Sequence, residues 1–541
     1  MIRAMKEEIA KFFKGDLMDD METLQKYSRD ASLFTVFPKL IAFPKDSEDV
    51  KNIVKWVSDN KVKYPDLSIT ARSAGTDMTG GPLGESIILD FTKYMNRLIS
   101  FDSQKMEITV LPGMYYRDFE KIVSEKKLML PSYPASKSIC AIGGMFANNS
   151  GGEKSLRYGK TENYIMSSKI VLSDGNEYEI RKEENNQNFL GEIYKNLKEL
   201  IKTNEAIIKK AKPNVSKNSA GYYIWNAWNG KNIDLNKLLV GSQGTLGITT
   251  EITFQLVSIV ENTRLVVIYL NDFNKISELV NEVLKYDPES LESYDDKTLK
   301  IAIKFFTSFL KGRGLWGSLK FAWSFWPDLF MLLKHGFPKI VVLAELSGTQ
   351  EDINKKYFGL KKYLDRENIF SRISKTKTDT QKYWDIRHES FNLLRKHVKG
   401  KKTAPFIDDV IVRPEFLPKF LPELENILSL YPELEHTIAG HPGDGNFHII
   451  PLVDINDQKI GKDVLEVSEK VYDLVKKYNG SITAEHNDGI VRTPYLSKMY
   501  SREVIEIFQK IKNIFDPKNI FNPGKKVEGT KEYIFSHLTV K

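Results

Sequence analysis

The chain has 541 residues, 41% hydrophobic and 28% charged, with a formal net charge of +8. That length exceeds one ordinary hydrophobic core, so two or three globular domains are expected. The charge is modest for the size and its signs are interleaved, so nucleic acid is not called for as a partner. A single cysteine, Cys140, excludes an internal disulfide framework and a Cys-ligated iron–sulfur cluster, and points to a reducing compartment.

The opening residues, MIRAMKEEIAKFF, mix Lys with Glu and lack the apolar stretch of a signal peptide. No run of roughly eighteen uncharged apolar residues follows anywhere. A cytoplasmic chain is therefore expected, starting with a helical extension over 1–37. From 38 to 258, short β-rich runs such as ESIILDF, EITVLPG, KIVLSDG and GITTEITFQLV alternate with Gly, Pro and Asp-Gly punctuation. They predict an α+β domain whose loops carry the function. Within it, Gln187 to Lys212 is Lys/Glu/Asn-rich and reads as a solvated helix.

Residues 259–479 open on the strand-like TRLVVIYL and continue in helix-then-strand units such as KIVVLAELSG, predicting a separate α/β domain. The segment 480–541 ends with an amphipathic helix, VIEIFQKIKNIF, and DPKNIFNPGK. An insertion at 301–337 stands apart. It holds Trp316, Trp323 and Trp326, three of the seven tryptophans, among Phe305, Phe306, Phe309, Phe321, Phe325 and Phe330. Lys304, Lys311, Arg313, Lys320 and Lys334 face only Asp328 as counter-charge. Such a segment suits either a membrane interface, on the inner face of the membrane, or an aromatic lid over the active site.

Three Gly-rich segments lie in the first domain: ARSAGTDMTGG at 71–81, PASKSICAIGGMFANNSGG at 134–152 and GSQGTLGI at 241–248. Glycines let successive N–H groups converge on phosphate oxygens. None of the three has the GxGxxG or P-loop spacing, so a Rossmann or kinase-type site is disfavoured.

Only eight histidines occur, and three cluster as His441 and His448 in GHPGDGNFH and His486 in AEHNDG. Asp444-Gly445 is a strong turn signal, so strands through His441 and His448 can fold back with both imidazoles facing one point. With Glu485 they would make a three-ligand site for zinc, iron or manganese with coordination positions left open. His486 would then be free to act as a base.

The wording and order of the loops resemble the FAD-linked oxidases of the vanillyl-alcohol oxidase and p-cresol methylhydroxylase fold. The family's Arg-Gly-Gly-Gly-Thr-Ser-x-x-Gly-Gly is matched by Arg72 to Gly81, with Ser73, Ala74 and Asp77 as departures. Arg157, Tyr158 and Gly159 resemble its Arg-Tyr-Gly, and Gln243 stands where the family usually has Glu. The resemblance implies an α+β architecture: a PCMH-type FAD-binding domain, a ferredoxin-like α/β cap that binds substrate, and a C-terminal helical return to the FAD domain. It implies FAD contacts at Arg72, Ser73, Ala74, Gly75, Thr76 and Asp77 in the first loop. In the second they fall at Pro134, Ser136, Ile142, Gly143, Gly144, Ala147, Asn148, Ser150, Gly152 and Tyr158, and beyond it at Gly244, Ile248 and Asn522. No histidine lies in 71–81 or 134–152, so the FAD is expected to be non-covalent.

The histidine motifs resemble the branch containing D-lactate, glycolate and D-2-hydroxyglutarate dehydrogenases. Gly440 to His448 meets its Gly-His-x-Gly-Asp-Gly-Asn-x-His, and Glu485-His486 its Glu-His pair, except that Asn487-Asp488 precedes Gly489. The resemblance implies metal ligands His441, His448 and Glu485, a base at His486, a substrate-orienting Asn446 and a carboxylate-binding Arg387. Phe391 stands where dicarboxylate-specific relatives place polar groups, and APFIDD replaces a lysine-bearing strand. A small acid, D-lactate or glycolate, is expected over D-2-hydroxyglutarate, with electrons passing to a quinone or an electron-transfer protein. The ether-lipid synthases of this fold carry a histidine triplet that is absent here. A non-catalytic electron-transfer flavoprotein would have no need of the metal triad.

Overall fold

The computed structural model describes residues 2–181, 188–305, 314, 316, 318–319, 323, 325–376, 378–387, 401–454, 456–457 and 459–539. Phe391 and, in the insertion, Phe306, Phe309, Lys311, Arg313, Lys320 and Phe321 lie outside them.

The β-rich runs of the first domain form two sheets. Leu40–Phe43, Ile87–Asp90 and Ile69–Arg72 pair in parallel, as expected of strands buried on both faces. Asp16–Met18 adds an antiparallel edge to Leu40–Phe43, so residues 1–37 are not the purely helical extension expected. A three-residue strand is too short to declare its period in the sequence. The second sheet is antiparallel, in the order Leu98–Asp102, Glu107–Val110, Ile248–Gln255, Ile165–Val171, Glu177–Ile180. The Lys/Glu/Asn-rich stretch is helical at Phe189–Thr203 and Glu205–Ala211, but it is not fully solvated. Leu190, Ile193, Leu197 and Ile201, at helical spacing, enter the core.

The second domain is an antiparallel sheet running Phe370–Ile373, Thr263–Leu270, Ile340–Ser347, Ser290–Asp295, Glu435–His441, Asn446–Asp454, Lys401–Thr403, with Val410–Ile411 also on Asn446–Asp454. Helices Ile276–Leu284, Gln350–Arg366, Leu417–Ser429 and Ile460–Lys477 bury apolar stripes against it. That core runs on into Leu33, Phe34 and Val36 of the N-terminal extension and Leu83 of the first domain, so an apolar seam joins them to the second domain. Lys154–Glu345 at 2.7 Å and the Arg157–Glu289 pair clamp its rim.

The C-terminal segment returns to the first domain. Helix Arg502–Phe515 buries Val504, Ile507, Phe508, Ile511 and Phe515 there. Fully buried Lys512 donates to the carbonyls of Thr245 (2.8 Å) and Phe521 (2.6 Å) and pairs with Asp516 (2.6 Å). Phe521 bridges to Ile69 beside the first Gly-rich loop.

Candidate active site

A cavity of about 650 Å³ lies between the Gly-rich loops and the antiparallel sheet of the second domain. On one side it is lined by Arg72, Ser73, Ala74, Gly75, Thr76, Asp77, Pro134, Ser136, Gly143, Gly144, Ala147, Asn148, Ser150, Gly152 and Gly244. Glu292, Arg387, His441, His448, Glu485 and His486 line the other. Five residues expected at the cofactor or substrate do not line it. Ile142 and Ile248 are core, and Tyr158 donates to Glu289 (3.0 Å) at the domain clamp. Asn522 holds the carbonyls of Gly81 (2.9 Å) and Gln243 (2.8 Å) from behind. Asn446 donates to Asp409 (3.1 Å) and to the Val410 carbonyl (3.2 Å).

The departures from the usual loop wording are structural. Asp77 accepts from the N–H groups of Thr79 and Gly81, both at 2.9 Å, and from Asn148 Nδ2 at 2.6 Å, so it organises the loop itself. Gln243 accepts from the Gly489 N–H (2.8 Å) while its amide donates to Asn148 Oδ1 (3.2 Å). A carboxylate there could not make that second bond. Gly75 sits at φ +67°, and a Cβ would meet the Arg72 guanidinium at 2.3 Å. A side chain at Gly144 or Gly244 would meet protein only at 4.0 Å and 3.6 Å, so these backbones are bare toward the cavity, as a cofactor cradle requires.

The hairpin forms as the turn chemistry predicts: Glu435–His441 pairs with Asn446–Asp454, with His441 opposite Asn446 and Ala439 opposite His448. His448 is thus the diagonal, same-face neighbour of His441. Gly445, at φ +77°, closes the turn.

His441 Nε2 lies 3.3 Å from His448 Nε2 and 3.5 Å from Glu485 Oε2, and His448 Nε2 lies 4.0 Å from the same oxygen. Tetrahedral donors with bonds of about 2.0–2.1 Å would stand about 3.3–3.4 Å apart, a spacing that the two separations from His441 approach and the 4.0 Å between His448 and Glu485 exceeds. The chemistry of the set, two imidazoles and a carboxylate, is that of a divalent-cation site. Each imidazole meets a carboxylate at Nδ1: His441 with Glu292 (2.5 Å), His448 with Asp408 (3.1 Å), His486 with Asp408 (2.7 Å, out of line for a hydrogen bond). Every Nε2 is left for the cavity, the usual arrangement behind metal-ligating histidines. Asp409, His448, Glu485 and His486 also place donor atoms within 4.8 Å of one another. Asp409, however, is already engaged by the N–H groups of Ala484, Glu485 and His486, each at 2.8 Å, as the anchor of their loop.

Charges around the centre are paired. Buried Lys217 spans Asp444 (2.8 Å) and Glu485 Oε1 (2.7 Å), leaving Oε2 toward the histidines. Burial opposes the Glu485 carboxylate, but Lys217 and His441 outweigh it and hold its pKa well below the usual range. Burial likewise opposes protonated His441 and His486, yet Glu292 and Asp408 raise them to about 9. A cation at the triad would displace the proton on His441 and favour neutral imidazole at His486. Arg387 pairs with Glu292 at 3.2 Å, and its buried Nε has no hydrogen-bond partner among the described residues. Glu292, Asp408, Asp409 and Lys217 were not singled out from sequence. The only local signal was Asp-Asp inside an apolar run at 404–412.

Residues 38–181 match the FAD binding domain family, and residues 259–526 match the family described as FAD linked oxidases, C-terminal domain. Fold and site define a flavin-dependent oxidoreductase, and the chain belongs to the FAD-linked oxidases. It is 27% identical over 519 residues to D-2-hydroxyglutarate dehydrogenase of Stutzerimonas stutzeri, covering 94% of this chain and 96% of that protein. It is 25% identical to the glycolate oxidase subunit GlcD of Bacillus subtilis, covering 92% and 91%. The Haemophilus influenzae D-2-hydroxyglutarate dehydrogenase is 25% identical, and the chain spans 50% of its length. Among solved structures, 4-ethylphenol oxidase from Gulosibacter chungangensis superposes with a TM-score of 0.71 at 16% identity, covering 98% of this chain and 97% of that one.

Proposed function

We propose that the protein oxidises a small D-2-hydroxy acid, D-lactate or glycolate, to the 2-oxo acid. FAD is held non-covalently, and His441, His448 and Glu485 hold a divalent cation, zinc or alternatively iron or manganese. The observation that carries this reading is the placement of Arg387, the two-histidine and glutamate triad and His486 on one wall of a cavity whose other wall is the FAD-binding loops. Bound FAD supplies a two-electron acceptor and the bound cation a Lewis acid. Arg387 takes the substrate carboxylate, using the guanidinium edge that Glu292 leaves free. His486, with Nδ1 against Asp408, receives the hydroxyl proton at Nε2 as the Cα–H leaves as hydride. Asp409 and Lys217 keep Glu485 and His486 in place throughout.

The rest of the lining supports a small substrate. Beyond Arg387 the cavity meets Thr298, Thr403, Thr437, Ala439 and Ile450, a neutral set. Its other arginines among the described residues, Arg29 and Arg72, belong to the wall of the flavin loops, where Arg72 donates to the carbonyls of Tyr27 and Arg29. Anaerobic titration with D- and L-lactate, glycolate and D-2-hydroxyglutarate, followed by flavin absorbance, tests the reading. Bleaching by D-lactate or glycolate is expected. A flavin that no member bleaches would overturn the oxidation, and bleaching confined to D-2-hydroxyglutarate would overturn the small acid.

For reoxidation we propose a quinone or electron-transfer protein reached at an anionic lipid surface. Trp316, Trp323, Trp326, Leu329, Phe330, Leu333 and Phe337 are exposed, three of them by 75% or more. Asp328, the only acid in 301–337, is turned inward onto Tyr269 and Tyr383 (both 2.5 Å), Arg372 and Lys382. The outward face is therefore aromatic with Lys304 and Lys334 beside it, a composition suited to headgroups. No helix among the described residues is long and apolar enough to cross a membrane. Cosedimentation with phosphatidylglycerol vesicles is expected, and its loss in a Trp323→Ser, Trp326→Ser, Phe330→Ser variant. Equal binding by that variant would overturn the lipid surface, as would wild-type protein that ignores the vesicles.

A further inference from the structure

Glu292 stands on the strand Ser290–Asp295, 2% exposed, with one carboxylate oxygen on each of two functional groups. Oε1 lies 2.5 Å from His441 Nδ1, and Oε2 lies 3.2 Å from an Arg387 terminal nitrogen. Its neighbours in the strand make no such contacts: Leu291 is core, and Ser293 Oγ faces the Gly440 carbonyl at 3.4 Å. Resting on the proposed function, we infer that Glu292 is a positioning residue that couples the cation site to the substrate-carboxylate site.

Its first oxygen keeps the proton of neutral His441 on Nδ1, so that Nε2 carries the lone pair toward His448 and Glu485. Its second oxygen holds one terminal nitrogen of a planar fork and so fixes the plane of the guanidinium of Arg387, a residue that lines the cavity. A buried arginine without this carboxylate would carry its charge unopposed and turn elsewhere. One side chain therefore sets the angle between the substrate's carboxylate anchor and a ligand of the cation that receives its hydroxyl.

The test uses flavin-loaded protein and zinc. Zinc affinity is measured by chelator competition, with no turnover, and KM and kcat are measured at saturating zinc. Glu292→Ala is expected to weaken zinc binding 10–100-fold, the usual cost of losing a carboxylate behind a metal-binding histidine. It is also expected to raise KM at least tenfold, with the flavin spectrum retained. Unchanged zinc affinity overturns the link to His441, unchanged KM overturns the link to Arg387, and either result overturns the coupling. Should Glu292→Ala lose its flavin, the isosteric Glu292→Gln carries the test. Its single carbonyl oxygen can serve only one of two donors, so at least one readout must move and two unchanged readouts overturn the inference. Failure of the proposed function shows separately, as wild-type flavin that no 2-hydroxy acid bleaches, and it leaves the zinc measurement interpretable.

Discussion

Asp408→Asn probes the least expected part of the site. The Asp408 carboxylate, fully buried, faces His448 Nδ1 at 3.1 Å and His486 Nδ1 at 2.7 Å. Both imidazoles can therefore carry their proton on Nδ1 and present a bare Nε2, which under the proposed function would serve the cation at His448 and the substrate hydroxyl at His486. Asparagine keeps the shape but offers one acceptor oxygen and one NH₂ group. Whichever imidazole faces the NH₂ must move its proton to Nε2, where it can neither ligate nor accept a proton. An interaction of this charged kind contributes about 1.5–3 kcal/mol, so losing either the His448 hydrogen bond or the His486 ion-pair contact slows the step by roughly 10- to 150-fold. Stopped-flow measurement of anaerobic flavin bleaching at saturating acid and zinc reads this directly. The flavin spectrum and melting temperature report whether the fold is intact. A limiting rate within threefold of wild type in a folded variant would refute the reasoning.

Lys217→Met leaves Asp444 and Glu485 buried without the cation between them, and is expected to destabilise metal-free protein by about 3–5 kcal/mol in urea titrations; a loss under about 1 kcal/mol would refute it. Burial, reinforced by Asp77, raises the Asp30 carboxyl to about 7, above its ordinary 3.8. The folded protein therefore binds more protons than the unfolded chain between those values, and this carboxyl's contribution to stability falls as pH rises through 7. Melting temperatures of wild type and Asp30→Asn should shift in favour of the variant from pH 5 to pH 8, and a difference that does not change with pH would count against the assignment.

Local chemistry made half of the site legible. Asp444-Gly445 demanded a tight turn, strand period placed His441 and His448 on one face, and the glycines marked where backbone must lie bare toward a ligand. The partners that pair with those histidines were not legible. Glu292 lies 149 residues from His441, and Lys217 lies 268 residues from Glu485. The Asp-Asp of APFIDD read only as a missing lysine, yet Asp408 and Asp409 orient two imidazoles and the loop carrying Glu485. Conversely, Tyr158 and Asn446 sit in motifs that promised ligand contacts, and packing turned them to Glu289 and Asp409.

Turns, strand period and glycine conformation depend on neighbours within a few residues, so the amino-acid sequence by itself determined the loops, the histidine hairpin and the two-domain plan. Which buried charge meets which imidazole depends on the register of strands hundreds of residues apart and on the seam that closes the cap onto the flavin domain. In that low-dielectric seam an unpaired charge is costly, so tertiary packing decided the pairing of Glu292, Asp408 and Lys217 with the histidines and Glu485 of the candidate site.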